Sequence, residues 1–253
     1  MNFPSLKHLI FLVISLITFA YTFLVVGNFM MFLSSPRNIE KPFVWVFNLM
    51  DSHSRIKTAL PVIVYDLLYI ILFIFQHSFM KSQLIRSLFQ KLGLQSLERT
   101  IYTLTSSLCL KYLLTNWKSA QSIVLWQFKL DESKALWWTF ISVHVICWTV
   151  IYGGCLIMDL PEILGIKQVF FDMKRYAQPT AYKSYELRQL YQHIRHPSFL
   201  CLTLIFWCTN LMSLDRLILA VMMTAYMYVG WSSDKNDVLY QKSQLIRKKY
   251  ELN

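Results

Sequence analysis

The stretch that decides the fold is residues 9–33, LIFLVISLITFAYTFLVVGNFMMFL, which contains no charged side chain. A helix needs roughly 20 residues to cross a hydrocarbon core of about 30 Å, and this run is longer than that. It is too long for the apolar core of a signal peptide, about 7 to 15 residues, and no small-x-small cleavage site follows it. The run therefore predicts a retained first span that acts as a signal anchor.

The composition of the whole chain agrees with this first span. Hydrophobic residues make up 55% of the 253 residues, charged residues only 15%, and the mean hydropathy is +0.40. A soluble domain of this length would carry about 25% charged residues. The remaining apolar runs lie at 60–79, 100–116, 135–158 and 198–231.

The last run, 198–231, consists of two short segments joined by Ser213-Leu214-Asp215-Arg216. Each segment has roughly 15 residues, so the pair predicts a tight helical hairpin that either crosses a thinned bilayer or dips in and returns. The predicted fold class is an all-α integral membrane protein with six hydrophobic helices. Residues 1–253 would form one multi-pass domain, with interfacial amphipathic helices within 159–198 and a basic tail at 232–253.

The distribution of positive charge predicts the orientation. If all six runs cross, 16 of the 25 Lys and Arg residues fall on the side that carries both chain termini. By the positive-inside rule that side faces the cytosol or nucleoplasm. A net charge of +11 concentrated there predicts contact with anionic lipid headgroups. No nucleic-acid-binding motif accompanies the charge, which argues against direct binding of nucleic acid.

Polar side chains inside the apolar runs predict internal partners, because an unpaired charge in the bilayer is costly. Asp66 in the second run and Lys111 in the third have nearly the same depth at about 1.5 Å per residue, which predicts an ion pair between them. His144 in the fourth run could join this pair. The five cysteines all lie in apolar runs without C-x-x-C spacing, so no metal site is expected.

A candidate ligand site lies at the predicted cytosolic side, before the hairpin. There Arg195-His196-Pro197 combines a planar fork of donors with a side chain that titrates near neutrality, which suits an anionic ligand. His77 closes the second run on the same side, and Asp237 follows the sixth within about two turns. His77, Arg195, His196 and Asp237 are therefore the predicted lining of one polar cleft. The alternative is that these side chains only extend to lipid headgroups.

An ordered set of short motifs resembles the nurim family of multi-pass inner nuclear membrane proteins. The motifs are Gln76-His77-Ser78, Glu98-Arg99-Thr100-Ile101-Tyr102, Trp117, Glu162-Ile163-Leu164-Gly165-Ile166-Lys167-Gln168-Val169 and Arg195-His196-Pro197-Ser198-Phe199. Nurims are in turn similar to the isoprenylcysteine carboxyl methyltransferases, which use an Arg-His-Pro-x-Tyr-x-Gly stretch and a Glu-Glu pair to bind S-adenosylmethionine. This chain has Phe199 and Cys201 at the Tyr and Gly positions, and Asp234-Lys235-Asn236-Asp237 where those enzymes place their glutamates.

The resemblance implies a protein of the nuclear inner membrane with a structural or interaction role, and nuclear envelope, lamina or chromatin components as its partners. A Gly that lets a nucleotide approach the backbone is hard to replace with a larger residue. The departures therefore favour a role without catalysis, and no catalytic residue is assigned. The alternative function is that of an S-adenosylmethionine-dependent membrane methyltransferase, or of a small-ligand binder that uses the Arg195-His196-Pro197 pocket.

Overall fold

The computed structural model describes residues 6–39, 43–46, 48, 53–157, 159–177, 179 and 198–231. Its longer helices are α1 (Leu6–Ser34), α2 (His53–Phe79), α3 (Gln83–Lys91), α4 (Glu98–Asn116) and α5 (Lys134–Ile157). They are followed by α6 (Leu160–Ile163), α7 (Ile166–Met173), α8 (Phe199–Trp207) and α9 (Leu214–Trp231). Between the helices lie three short strands, β1 (Val44–Trp45), β2 (Ile123–Gln127) and β3 (Leu211–Ser213), and two 3₁₀ turns, Gln95–Leu97 and Leu130–Glu132. The predicted all-α class is confirmed.

Six of these helices pack side by side as a bundle. Helix α4 lies between α1 and α2, α9 packs on α2, and α8 lies between α9 and α5 and also touches α1. Within the described ranges α1, α2 and α5 are long and apolar enough to cross a membrane. Crossing by α4 and α9 stays a prediction.

Small polar residues hold α1 against α4. Ser15, Thr18 and Thr22 of α1 are buried, and they lie three or four residues apart along one face. Thr103 and Ser107 of α4 are buried as well, and the hydroxyls of Thr22 and Ser107 are 2.9 Å apart. In a bilayer, lipid tails are as apolar as leucine, so close backbone approach and interhelical hydrogen bonds favour association. This contact was not anticipated from the sequence.

The apolar core fills the centre of the bundle. Ile70, Leu113, Trp148, Ile205 and Leu219 come from five different helices and are all buried in it. A second, smaller cluster joins Phe11, Leu97 and Val169 near the start of α1.

The structure gives the details of the predicted hairpin. Helix α8 has only nine residues, a length of about 14 Å, and therefore cannot cross a core of about 30 Å. The chain then leaves the helix, and Leu211 and Met212 lie in β3. Asp215 and Arg216, placed by the sequence in the link between the two segments, lie in the first turn of α9 with exposed fractions of 0% and 4%.

The three strands form a small sheet in the order β1-β2-β3 at one end of the bundle. Strand β1 runs parallel to β2, with Val44 opposite Ile123, whereas β3 runs antiparallel to β2. Ile123 and Leu211 are each 1% exposed, and strand pairing satisfies backbone groups that such burial removes from water. We call this the sheet end, and we call the opposite end, which carries α3, α6 and α7, the basic end.

The predicted interfacial helices are described in part. Helices α6 and α7 cover the first half of 159–198, and Val169 of α7 packs on Phe11 of α1 rather than facing lipid. Most of the second half of 159–198 and the basic tail at 232–253 lie outside the described residues.

Candidate functional site

At the sheet end the structure corrects the predicted pair of Asp66 and Lys111. Asp66 is 1% exposed, and its Oδ1 accepts a hydrogen bond of 3.0 Å from the backbone N–H of Lys118. Its other electrostatic neighbours are Asp215 and Arg216. The Lys111 side chain is exposed, and no ion pair joins it to Asp66 in the described structure. Asp66 bonds to the backbone of Lys118, seven residues beyond Lys111, so a count of depth along the helices did not identify its partner.

Asp215 is the centre of this buried polar cluster. Its Oδ2 accepts a hydrogen bond of 3.0 Å from Trp117 Nε1, and its Oδ1 accepts one of 3.1 Å from the backbone N–H of Ala120. The neighbouring Arg216 donates to the carbonyl of Phe32 at 2.7 Å, and its guanidinium lies 3.7 Å from the centre of the Phe32 ring. One carboxylate and one guanidinium thereby connect α9 to the ends of α1 and α4. Trp117, one of the residues that carries the family resemblance, is part of this connection.

Arg37 extends the cluster into the loop after α1. The Asn210 side chain accepts from the backbone N–H of Arg37 at 3.0 Å and donates to the Arg37 carbonyl at 2.8 Å. Burial lowers the pKa of the Arg37 guanidinium, and the Asp215 carboxylate opposes that decrease. These contacts tie the loop to the turn before β3.

His144 has a separate structural role and does not join Asp66. One ring nitrogen of His144 lies 2.8 Å from Ser34 Oγ, and the other lies 3.0 Å from the carbonyl oxygen of Cys208. Trp148 Nε1 donates to the same Ser34 hydroxyl at 2.8 Å. Helix α5 is thereby fastened to the end of α1 and to the end of α8.

At the basic end, the three residues that close α2 contact two other helices. Gln76 Nε2 donates to Thr105 Oγ1 of α4 at 2.8 Å. The Tyr102 hydroxyl of α4 lies 2.8 Å from His77 Nε2. Ser78 Oγ lies 3.2 Å from the Tyr226 hydroxyl of α9. Gln76-His77-Ser78 therefore joins α2 to α4 and α9.

The start of α4 packs against the turn between α6 and α7. Arg99 Nε donates to the carbonyl of Ile163 at 2.6 Å, and Thr100 Oγ1 donates to the carbonyl of Gly165 at 3.4 Å. Gly165 has φ +97°, and a Cβ there would lie 2.6 Å from the backbone nitrogen of Thr100. Only glycine suits both this backbone conformation and this close approach. Two of the family motifs are therefore in direct contact.

A cleft of about 320 Å³ opens beside this contact. Tyr102 joins the cleft to His77, because its side chain lines the cleft and its hydroxyl contacts the His77 ring. The other lining residues come from α3, α4, α7 and the segments next to them: Met80, Lys81, Arg86, Gln95, Ser96, Glu98, Arg99, Gln168, Phe171, Asp172, Tyr176 and Pro179.

Of the four predicted ligand-binding residues, the structure places His77 next to this cleft. Arg195, His196 and Asp237 lie outside the described residues, so their approach to His77 stays a prediction. Arg99 and Tyr102 were quoted only for the family resemblance, and the sequence did not mark them as cleft residues. The described ranges contain no group of three or more His, Cys, Asp or Glu side chains that could hold a metal ion.

These features define an α-helical, multi-pass membrane protein with a polar cleft at one end and a buried charged cluster at the other. The chain is 62% identical to a nurim homolog of Drosophila pseudoobscura pseudoobscura, over 94% of each chain. It is 58% identical to the nurim homolog of Drosophila melanogaster over 98% of each chain, and 31% identical to nurim of Danio rerio over 92% of this chain and 87% of that one. The chain belongs to the nurim family.

The other comparisons add no further likeness. No family model matches the chain, and no solved structure matches it. The similarity to isoprenylcysteine carboxyl methyltransferases is not shown by the nurim relatives and stays a hypothesis.

Proposed function

We propose that the chain resides in the inner nuclear membrane and acts there as a structural or interaction protein, with both termini toward the nucleoplasm. The observation that carries the proposal is the use of the family motifs. His77, Arg99, Thr100 and Trp117 each contact another helix or loop of the same chain. Polar side chains committed to internal contacts stabilise a fixed membrane scaffold. Such contacts do not by themselves place these side chains around a substrate, as catalysis would require.

The resemblance of the sequence motifs to nurims of the inner nuclear membrane supports the location, and the distribution of Lys and Arg supports the orientation. Lamina, chromatin or other envelope components are the proposed partners, and anionic headgroups are proposed to contact the basic face. Because the described chain lies almost wholly in the helical bundle and its short loops, we propose that the spans retain it at the envelope.

The location is tested with a C-terminal epitope tag in intact cells. We expect a nuclear rim that antibodies reach only after the nuclear envelope itself has been permeabilised, because the tag faces the nucleoplasm. A chain lacking residues 240–253 should keep the rim pattern. An even distribution of the full chain through the endoplasmic reticulum would contradict the location, whereas dispersal of the truncated chain alone would contradict retention by the spans.

A second candidate function is binding of S-adenosylmethionine at the basic end, and the cleft beside His77 is the observation that favours it. Its volume falls in the range of about 300–1,000 Å³ that is typical of small-ligand pockets. The test is calorimetric titration of the detergent-purified chain with S-adenosylmethionine. Micromolar binding that is lost in Arg195→Ala would favour the enzyme. An absence of binding at millimolar ligand would favour the structural function.

A further inference from the structure

We propose that the cleft at the basic end binds the phosphate of an anionic phospholipid from the surrounding leaflet, with Arg99 as its main ligand. This inference does not depend on the nuclear location. It goes beyond a general attraction between a basic surface and anionic lipids, because it assigns one site to one headgroup.

Arg99 is held in place for this role. Its Nε donates to the Ile163 carbonyl at 2.6 Å, and its guanidinium carbon lies 5.1 Å from the centre of the Tyr102 ring. These contacts engage Nε and one face of the group, so the two terminal NH₂ groups are available on a side chain that lines the cleft. A guanidinium presents such a pair of donors in the geometry that a phosphate accepts.

The acidic residues of the cleft do not neutralise Arg99 in the described structure. Glu98 Oε1 lies 3.5 Å from Arg86 Nε, and Asp172 Oδ2 lies 3.7 Å from His8 Nε2. Each carboxylate therefore faces another basic group. Lys81 also lines the cleft, which brings the number of Lys and Arg residues around it to three.

Helix α3 indicates the depth at which the cleft lies. Leu84 and Leu88, one turn apart, are 74% and 49% exposed, while Phe89 is buried against the protein. An exposed row of leucines on a short basic helix is typical of insertion at the boundary between headgroups and acyl chains. Arg86 lies about half a turn around the helix from Leu84 and Leu88, on the opposite face, and it lines the cleft. The cleft would then open at the level of the lipid phosphates, which favours a lipid over a soluble ligand.

The experiment measures lipid retention by native mass spectrometry of the full chain in detergent, with equal amounts of dioleoyl phosphatidic acid and dioleoyl phosphatidylcholine. We expect a preference for phosphatidic acid that falls about fivefold for each cleft cation removed, in Arg99→Gln and in Arg86→Gln. Arg99→Lys keeps the charge but loses the paired donors of the guanidinium, so its preference for phosphatidic acid should lie between those of the wild type and of Arg99→Gln. Lys91→Gln is the matched control for Arg86→Gln, because Lys91 is an exposed cation of the same helix, α3, and does not line the cleft.

Three results would overturn the proposal. The first is an unchanged preference for phosphatidic acid in both Arg86→Gln and Arg99→Lys. These two variants test the proposal even if Arg99→Gln does not fold. The second is an equal loss in Lys91→Gln, since that would reduce the effect to the overall charge of the surface. The third is displacement of the lipid by millimolar inorganic phosphate, because a soluble phosphate compound would then be the ligand.

Discussion

Replacing Asp215 by alanine is expected to destabilise the bundle more than any change at an exposed charge. The side chain is fully buried and accepts hydrogen bonds from Trp117 Nε1 and from the backbone N–H of Ala120. Hydrogen bonds to a charged acceptor contribute about 1.5–3 kcal/mol each. The change would also remove a negative charge that favours the buried Arg216 guanidinium. These contributions overlap, so we expect a loss of about 3–5 kcal/mol in the free energy of unfolding.

The assay is equilibrium unfolding of the purified chain in mixed micelles as the fraction of sodium dodecyl sulfate is raised, followed by tryptophan fluorescence. Lys91→Met is the control, because that side chain is exposed at the end of α3, outside the apolar runs, and should shift the free energy by no more than about 0.5 kcal/mol. If Asp215→Ala lies within about 1 kcal/mol of the wild-type value, the charged cluster does not stabilise the fold and the reasoning is refuted.

Two further predictions concern the basic end and use the same unfolding assay. Gly165→Ala should lower the free energy of unfolding by about 2–4 kcal/mol, because the new Cβ would lie 2.6 Å from the backbone nitrogen of Thr100 at a φ of +97°. Gly154→Ala is the control and should not destabilise the chain, because a Cβ there meets nothing within 4 Å. Equal losses in the two variants would contradict the argument. Tyr102→Phe should cost about 0.5–1.5 kcal/mol through loss of the hydrogen bond to His77, and an unchanged stability would show that this contact is not formed.

Family motifs make contacts at both ends of the bundle. At the basic end, Arg99 and Thr100 bind the turn that contains Gly165. At the sheet end, Trp117 binds Asp215. Two motifs that are far apart in the sequence are therefore brought together at the basic end, whereas at the sheet end Trp117 contacts a residue outside the motifs.

The sequence by itself determined the membrane class and the family. The apolar run at 9–33 has no charged residue, so burial in lipid is the state that removes it from water, and α1 covers it as Leu6–Ser34. Where the apolar runs at 100–116 and 135–158 end, polar residues follow, and α4 and α5 end within two residues of the predicted positions.

Only the tertiary structure decided which polar groups meet. The position of a residue within an apolar run does not fix its partner, because packing sets how each helix is rotated and shifted against its neighbours. Lys111 is exposed, and Asp66 lies beside the Lys118 backbone. The apolar run that contains Leu211 looked helical because a composition rich in Leu and Met does not distinguish a buried strand from a buried helix. It forms β3 because the loop after α4 offers a strand with unpaired backbone groups at the same end of the bundle. Such choices depend on neighbours that are distant in the sequence, and local pattern cannot report them.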